Sequence, residues 1–540
     1  MLDKTAGVVF VLFILYSKGI NGYNLTIKTE NGYIKGYEQR SSVNQSATYF
    51  AFRGIPYGEP PVGSLRFQDP RPVSSWNGVK EVTDWANLCV VLETSIAGSP
   101  VVGSEDCLYL NIYVPKTEKK NEELSLPVMV WYHGGGFVRG SSRPDPSYYI
   151  EKPVIIAAVS YRLGIMGFLS THDENARGNA GLKDQTLGLK WIKNNIQHFG
   201  GNPDRITIFG QSAGGASVGY QLLSQRSTGL FNQAISQSGS TLNEWGFQEN
   251  PLELTLKLAR RFNITSNDTK EVIAGLQKID MEVLIKNSQL DGLFLPSVEA
   301  ESNEAFISQS SYDLWSAGKY HKVPLLIGYN SEEGANNRNS APRYAQDPRN
   351  TIPAGLHVSK KSPIANEIVK AITQQYFPGN SYSNFTNCIN FMTQHYFVRG
   401  IRKTIGDFAK SSAPLYFYKF TYVTKENYTR GVNGGAGHAE EGKYTWYSIP
   451  LANQNDVRMK DRMVTLWTNF AIYGNPTPKA DALFNNVIWP EAHTNVPSVD
   501  DLRYLELGYD LVPGTSPDQA DFLFWRSLFQ KYATTTIYTY

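Results

Sequence analysis

Five short apolar runs punctuate the chain, at residues 127–132, 154–159, 206–209, 324–327 and 415–420. Each is rich in β-branched and aromatic residues and too short for a buried helix, so each predicts a core strand. Between them the apolar positions recur at helical spacing. Residues 182–199 show apolar spacing around Leu187, Leu189, Trp191, Ile192 and Ile196, and Gly200-Gly201 supplies a stop. Residues 456–473 end at Gly474-Asn475-Pro476, and 521–532 read as a closing amphipathic helix. Strands alternating with helices predict an α/β fold with a mostly parallel central sheet covered on both faces. Residues 252–303 and 353–412 are helix-rich insertions that would wall a gorge. With no internal repeat and no low-complexity linker, residues 23–540 read as one domain.

An apolar run at 8–16 follows Lys4 and precedes Gly19 and Gly22, which predicts a secretory signal peptide over residues 1–22. The run is too short to span a bilayer, and no later segment is apolar enough, so no stable membrane anchor is expected. The tail Thr534–Tyr540 carries neither a retention signal nor a lipid-anchor signature. Secretion agrees with six Asn-x-Ser/Thr sequons, at Asn24, Asn44, Asn263, Asn267, Asn384 and Asn427. In an oxidising compartment Cys89 and Cys107 read as the staple of a polar loop, a closure worth roughly 3 kcal/mol, with Cys388 left as a free thiol. The formal net charge is only +2, which points away from a nucleic-acid partner. A 13% aromatic content with 32 tyrosines favours an aromatic-lined pocket for a small molecule.

The chemistry concentrates at Gly210-Gln211-Ser212-Ala213-Gly214, which lies between the 206–209 run and a small-residue helix pattern. This is the Gly-x-Ser-x-Gly arrangement of a nucleophile elbow. The turn projects the serine hydroxyl into the open, the glycines remove Cβ atoms where the chain doubles back, and the helix start favours negative charge. A serine hydroxyl needs a base, and the base an orienting acid. On such a sheet the order is serine, acid, histidine. After an acid near position 330 four histidines remain: His357, His395, His438 and His493. Only His438 sits in a side-chain-poor loop after the 415–420 run. For the acid, Glu332 and Glu333 both follow the 324–327 run, and spacing does not separate them. The glycines of His133-Gly134-Gly135-Gly136-Phe137 offer bare N–H groups to an oxyanion, and the Ala213 N–H adds another. No metal-binding or phosphate-binding motif is present, so neither a metal nor a cofactor is expected.

These residues resemble the type-B carboxylesterase and cholinesterase family over nearly the whole mature chain. Residues 199–214 resemble its active-serine signature and 105–115 its second signature. Residues 52–57, 160–164 and 179–185 are further landmarks. The resemblance implies an α/β-hydrolase fold, a Ser212–Glu333–His438 triad and an oxyanion hole from Gly135, Gly136 and Ala213. It selects Glu333 over Glu332. It also implies ion pairs Arg53–Glu105 and Arg162–Asp184, a Ser238 hydroxyl supporting the acid, and Trp245 in the acyl pocket. The family's second disulfide has no cysteines here, and His438 is followed by Ala-Glu-Glu-Gly-Lys where relatives usually place an apolar residue near Gly442. Within the family the chain is most similar to insect carboxylesterases, including the juvenile hormone esterase, detoxifying and odorant-degrading groups. The expected function is a secreted serine esterase acting on neutral esters through an acyl-enzyme. The alternative is a catalytically silent adhesion or binding member. Choline esters are disfavoured, because the Cys89–Cys107 loop has no tryptophan, with Ala97 where one would align, and the uncharged Gln211 precedes Ser212.

Overall fold

The computed structural model describes residues 23–94, 99–424, 434–493, 498 and 500–540, with the backbone alone at 337–340. Eleven strands form the main sheet: β1 (Tyr37–Arg40), β2 (Thr48–Pro56), β3 (Tyr109–Pro115), β4 (Leu126–Tyr132), β5 (Ile155–Val159), β6 (Gly201–Gln211), β7 (Gln233–Gln237), β8 (Leu325–Asn330), β9 (Leu415–Phe420), β10 (Arg503–Leu507) and β11 (Leu511–Thr515). Across the sheet they run β11-β10-β9-β8-β7-β6-β4-β5-β3-β2-β1. From β10 through β5 every pairing is parallel. Antiparallel strands complete both edges. The five runs read from sequence are β4, β5, β6, β8 and β9. The strands that sequence left unassigned are the edges, and β7, whose apolar stretch is broken by Gln233, Ser236 and Gln237.

The pleat separates two cores. On β4, Val128, Val130 and Tyr132 enter one core, while Met129 and Trp131 enter the other. The helix Ala180–Asn195 packs Leu182, Leu189, Trp191 and Ile192 into the first core. It tightens into the 3-10 turn Ile196–Phe199 and ends at Gly200, whose φ of +83° suits glycine. The helix Gln454–Tyr473 lays Met459, Met463, Leu466, Trp467 and Phe470 against the second core. Each such side chain contributes about 1.5–3 kcal/mol by burial.

The first insertion holds the helices Pro251–Arg261, Thr269–Leu276 and Met281–Asn287. The second holds Pro363–Tyr376, Phe385–Thr393 and Arg399–Phe408, with a π-turn at Gln394–Val398 between the last two. Cys89 and Cys107 are disulfide-bonded, and Cys388 is a buried free thiol. Asn24, Asn44, Asn263, Asn267 and Asn384 are exposed, whereas Asn427 and residues 1–22 lie outside the described residues. Among the described residues no helix is long and apolar enough to cross a membrane.

One expected ion pair is replaced. Glu105 pairs in bidentate fashion with Arg66, at 2.6 Å for both contacts, and not with Arg53. The reason is strand alternation. Phe52 enters the core on the Glu105 side, so Arg53 emerges on the opposite face, its guanidinium 4.2 Å from the Trp85 ring centroid. The other pair is present: Arg162 contacts both oxygens of Asp184, at 2.7 and 2.8 Å, in a buried setting.

Candidate active site

The site lies at the C-terminal ends of the parallel strands β4, β6, β8 and β9, where open α/β sheets place their chemistry. Ser212 follows β6 directly and precedes the helix Ala213–Leu223. Its φ of +59° and ψ of −122° are unusual for a residue with a side chain. Such a conformation costs on the order of 1–3 kcal/mol, and it persists because the neighbours hold it. A Cβ on Gly210 would stand 2.4 Å from the Gly214 carbonyl, and one on Gly214 would stand 2.0 Å from the Tyr132 oxygen. Both positions therefore require glycine.

His438 Nε2 lies 2.8 Å from Ser212 Oγ, and His438 Nδ1 lies 2.5 Å from Glu333 Oε2. Glu333 is fully buried, and its other oxygen accepts the Asn330 N–H at 2.7 Å. Glu332 turns elsewhere: its Oε1 accepts the Gly435 N–H at 3.0 Å, and its backbone N–H donates to the Ala436 carbonyl. Of the two adjacent glutamates, one faces the imidazole and the other holds the histidine loop. The remaining histidines stand apart from Ser212: His357 near Glu249, His395 near Glu244 and His493 near Glu491.

Opposite the serine, Gly135 and Gly136 adopt φ of +114° and +63°. A Cβ on Gly135 would stand 2.2 Å from the Arg139 carbonyl. Among the described residues no acceptor meets the N–H groups of Gly135, Gly136 or Ala213. The loop is steadied from below by His133, whose Nδ1 lies 2.9 Å from the Gly134 carbonyl and whose ring stacks on Tyr161 at 4.3 Å. Burial pushes the His133 pKa down to about 4, so the ring is neutral and donates from Nδ1.

Ser238 does not support the acid as expected. Its hydroxyl makes no hydrogen bond among the described residues, and its N–H donates to the Gly328 carbonyl at 2.9 Å. The acid's second oxygen accepts from the Asn330 N–H instead. Trp245 lies in the 3-10 turn Glu244–Gly246, 5.6 Å from the Phe397 ring, which in turn lies 4.6 Å from the His438 ring. Phe397 and Asn330 were not read from sequence. A phenylalanine inside a helical pattern carries no local sign of a π-turn, and the Asn330 contact is made by backbone.

Glu441, three residues after His438, is buried and accepts the Asn330 side-chain N–H at 2.5 Å. Burial first, and the Glu333 charge second, raise its pKa to about 7. A raised carboxyl value makes the group's contribution complete below the usual glutamate range and lost as pH rises through about 7. Glu441→Gln should therefore gain thermal stability relative to wild type between pH 5 and pH 8, by a few degrees in Tm. A Tm difference that stays constant over that range contradicts the buried neutral carboxyl.

An αβ sheet of this topology with a strained serine at the strand–helix elbow defines an α/β-hydrolase. The carboxylesterase family profile matches residues 24–525, and the chain belongs to that family and is a carboxylic ester hydrolase. It is 35% identical over 509 residues to the juvenile hormone esterase of Tribolium castaneum, covering 85% of each chain. It is 32% identical over 523 residues to venom carboxylesterase-6 of Apis mellifera, covering 89% of this chain and 90% of that one. The crystal structure of juvenile hormone esterase from Manduca sexta, with OTFP covalently attached, superposes with a TM-score of 0.81 at 29% identity, covering 94% of this chain and 99% of that one.

Proposed function

We propose that this protein is a secreted serine esterase that hydrolyses neutral carboxylic esters through an acyl-enzyme on Ser212. The observation that carries the reading is the continuous relay from Ser212 Oγ through His438 to Glu333, at 2.8 and 2.5 Å. Glu333 accepts a hydrogen bond from Nδ1–H, which leaves Nε2 as the acceptor for the serine hydroxyl. As Oγ attacks the ester carbonyl, Nε2 takes the proton, and Glu333 stabilises the imidazolium. The carbonyl oxygen becomes an oxyanion opposite the Gly135, Gly136 and Ala213 N–H groups, each such donor being worth roughly 3–4 kcal/mol. Collapse expels the alcohol, which takes the Nε2 proton. Water, deprotonated by the same nitrogen, then releases the acid. A complete relay supports an active enzyme over a silent binding member. Secretion is supported by the 8–16 apolar run and the disulfide. The names of the relatives put a juvenile hormone among the substrates to test, beside xenobiotic and odorant esters.

The preference for neutral esters rests on Gln211, which supplies no charge beside Ser212, and on the tryptophan-free disulfide loop, whose Ala97 lies outside the described residues. A desolvated cation–π contact is worth about 2 kcal/mol, roughly thirtyfold in affinity. The test compares kcat/KM for acetylthiocholine with an uncharged thioester of similar size. The neutral substrate should win by at least tenfold. Parity defeats the specificity, and no turnover of either substrate or of a nitrophenyl ester panel defeats the enzyme reading.

A further inference from the structure

The π-turn Gln394–Val398 joins two α-helices a few ångströms from the site. A π-turn skips one step of the helical hydrogen-bond ladder and frees carbonyls for outside donors. Here the donors come from residues 243–245. The Asn243 side-chain amide donates to the carbonyls of Tyr396 and Phe397, both at 2.9 Å, and the Trp245 indole N–H donates to the Tyr396 carbonyl at 2.9 Å. Gly400 makes room, since a Cβ there would stand 2.8 Å from the Asn243 amide nitrogen. The outcome is a pair of rings, Trp245 and Phe397, packed together with Phe397 against the His438 imidazole.

Between these two contributors lies a buried charge cluster that the hydrolytic steps do not use. Glu244 Oε1 accepts from Arg399 Nη2 at 2.6 Å and from the Ala354 N–H at 2.9 Å, and Glu244 Oε2 lies 3.5 Å from His395 Nε2. Arg399 Nε donates to the His395 carbonyl at 2.6 Å, inside the π-turn. Its guanidinium lies over Trp525 and Phe529, at 5.2 and 5.3 Å from the ring centroids. The Arg399 side chain is fully buried, His395 is 2% exposed and Glu244 14% exposed. Burial lowers the His395 pKa, so the lasting cation in the cluster is Arg399. Burial opposes the Glu244 charge, yet the contacts to its partners, with Arg399 the one that stays charged, hold the carboxyl below its usual range.

We propose that Glu244 is a positioning residue that sets acyl-chain selectivity, because it ties the Trp245 turn to Arg399 and through it to the π-turn that presents Phe397. A surface ion pair would hold neither element firmly, but a buried pair in which Glu244 Oε1 accepts from both Arg399 and the Ala354 N–H fixes their separation. The distance between the two rings then follows from the charge cluster beneath them. This inference rests on the Ser212 acyl-enzyme reading and on Trp245 facing the acyl group.

The test is the ratio of kcat/KM for nitrophenyl hexanoate to nitrophenyl acetate, with active sites counted by organophosphate titration. In Glu244→Gln the ratio should shift at least fivefold from wild type, expressed mainly in KM for the longer chain. Turnover of acetate per titrated site should change less than threefold. Should Glu244→Gln fail to fold, Asn243→Ala loosens the same π-turn by removing the amide clamp on the Tyr396 and Phe397 carbonyls without leaving a buried charge, and it should shift the ratio in the same sense. A merely structural role lowers the number of titratable sites and leaves the ratio untouched. A ratio within twofold of wild type in a folded, titratable Glu244→Gln or, where that does not fold, Asn243→Ala overturns the proposal. Wild-type protein inactive on both esters would instead overturn the esterase reading on which it rests.

Discussion

Ser212→Ala is expected to lower kcat for a nitrophenyl ester by about 10⁵–10⁶ while leaving the fold intact. The size of the loss follows from the unit in which the hydroxyl acts. His438 Nε2 accepts from the Ser212 Oγ hydroxyl at 2.8 Å, and without that hydroxyl the imidazole and Glu333 have nothing to activate. What survives is the oxyanion loop and substrate binding, which retain only modest acceleration over water. The fold should survive because alanine keeps the Cβ and the same backbone. The elbow is held by glycines on either side and by the Ser212 N–H bond to the Gln237 carbonyl at 2.8 Å. More than a hundredth of wild-type turnover in the mutant would refute the nucleophile. An organophosphate should add to Ser212 in the wild type, and an adduct mapped by peptide mass spectrometry to any other residue would refute it independently.

Local pattern carried far into this molecule where burial and chemistry coincide. The β4, β5, β6, β8 and β9 strands are buried on both faces, so their continuous apolar runs could be read directly. The edge strands could not. The β11 sequence Leu-Val-Pro-Gly-Thr contains both strand-breaking residue types and lies half in water. The elbow and the histidine loop were legible because glycines must stand where a Cβ would collide. Contacts set by strand facing and by backbone were not. The resemblance implied Arg53 as the partner of Glu105, but the alternation of β2 turns Arg53 away and Arg66 takes its place. The resemblance implied Ser238 as a support for the acid, but its hydroxyl makes no hydrogen bond among the described residues. The π-turn that places Phe397 arises from tertiary donors on residues 243–245, which no local sequence signal announces.

The paired substitutions Glu333→Gln and Glu332→Gln should separate two adjacent glutamates by orders of magnitude. In Glu333→Gln the amide has one orientation open to it. The Asn330 N–H at 2.7 Å demands an acceptor, so the new carbonyl oxygen must take the Oε1 position. The NH₂ group then replaces Oε2 at 2.5 Å from His438 Nδ1 and presents a donor to it. The imidazole answers by moving its proton to Nε2, the tautomer that cannot accept from Ser212. Loss of the carboxylate also removes the charge that stabilises the imidazolium. Together these should lower kcat by about 10³–10⁴, the scale seen when the acid of such a triad becomes an amide. Glu332→Gln meets a different demand. The Gly435 N–H at 3.0 Å needs only an oxygen, which glutamine still provides, so kcat should stay within about tenfold of wild type. Circular dichroism and Tm would establish that both variants fold. Equal losses in the two, or a Glu333→Gln enzyme retaining a tenth of wild-type turnover, would show that the imidazole does not depend on Glu333.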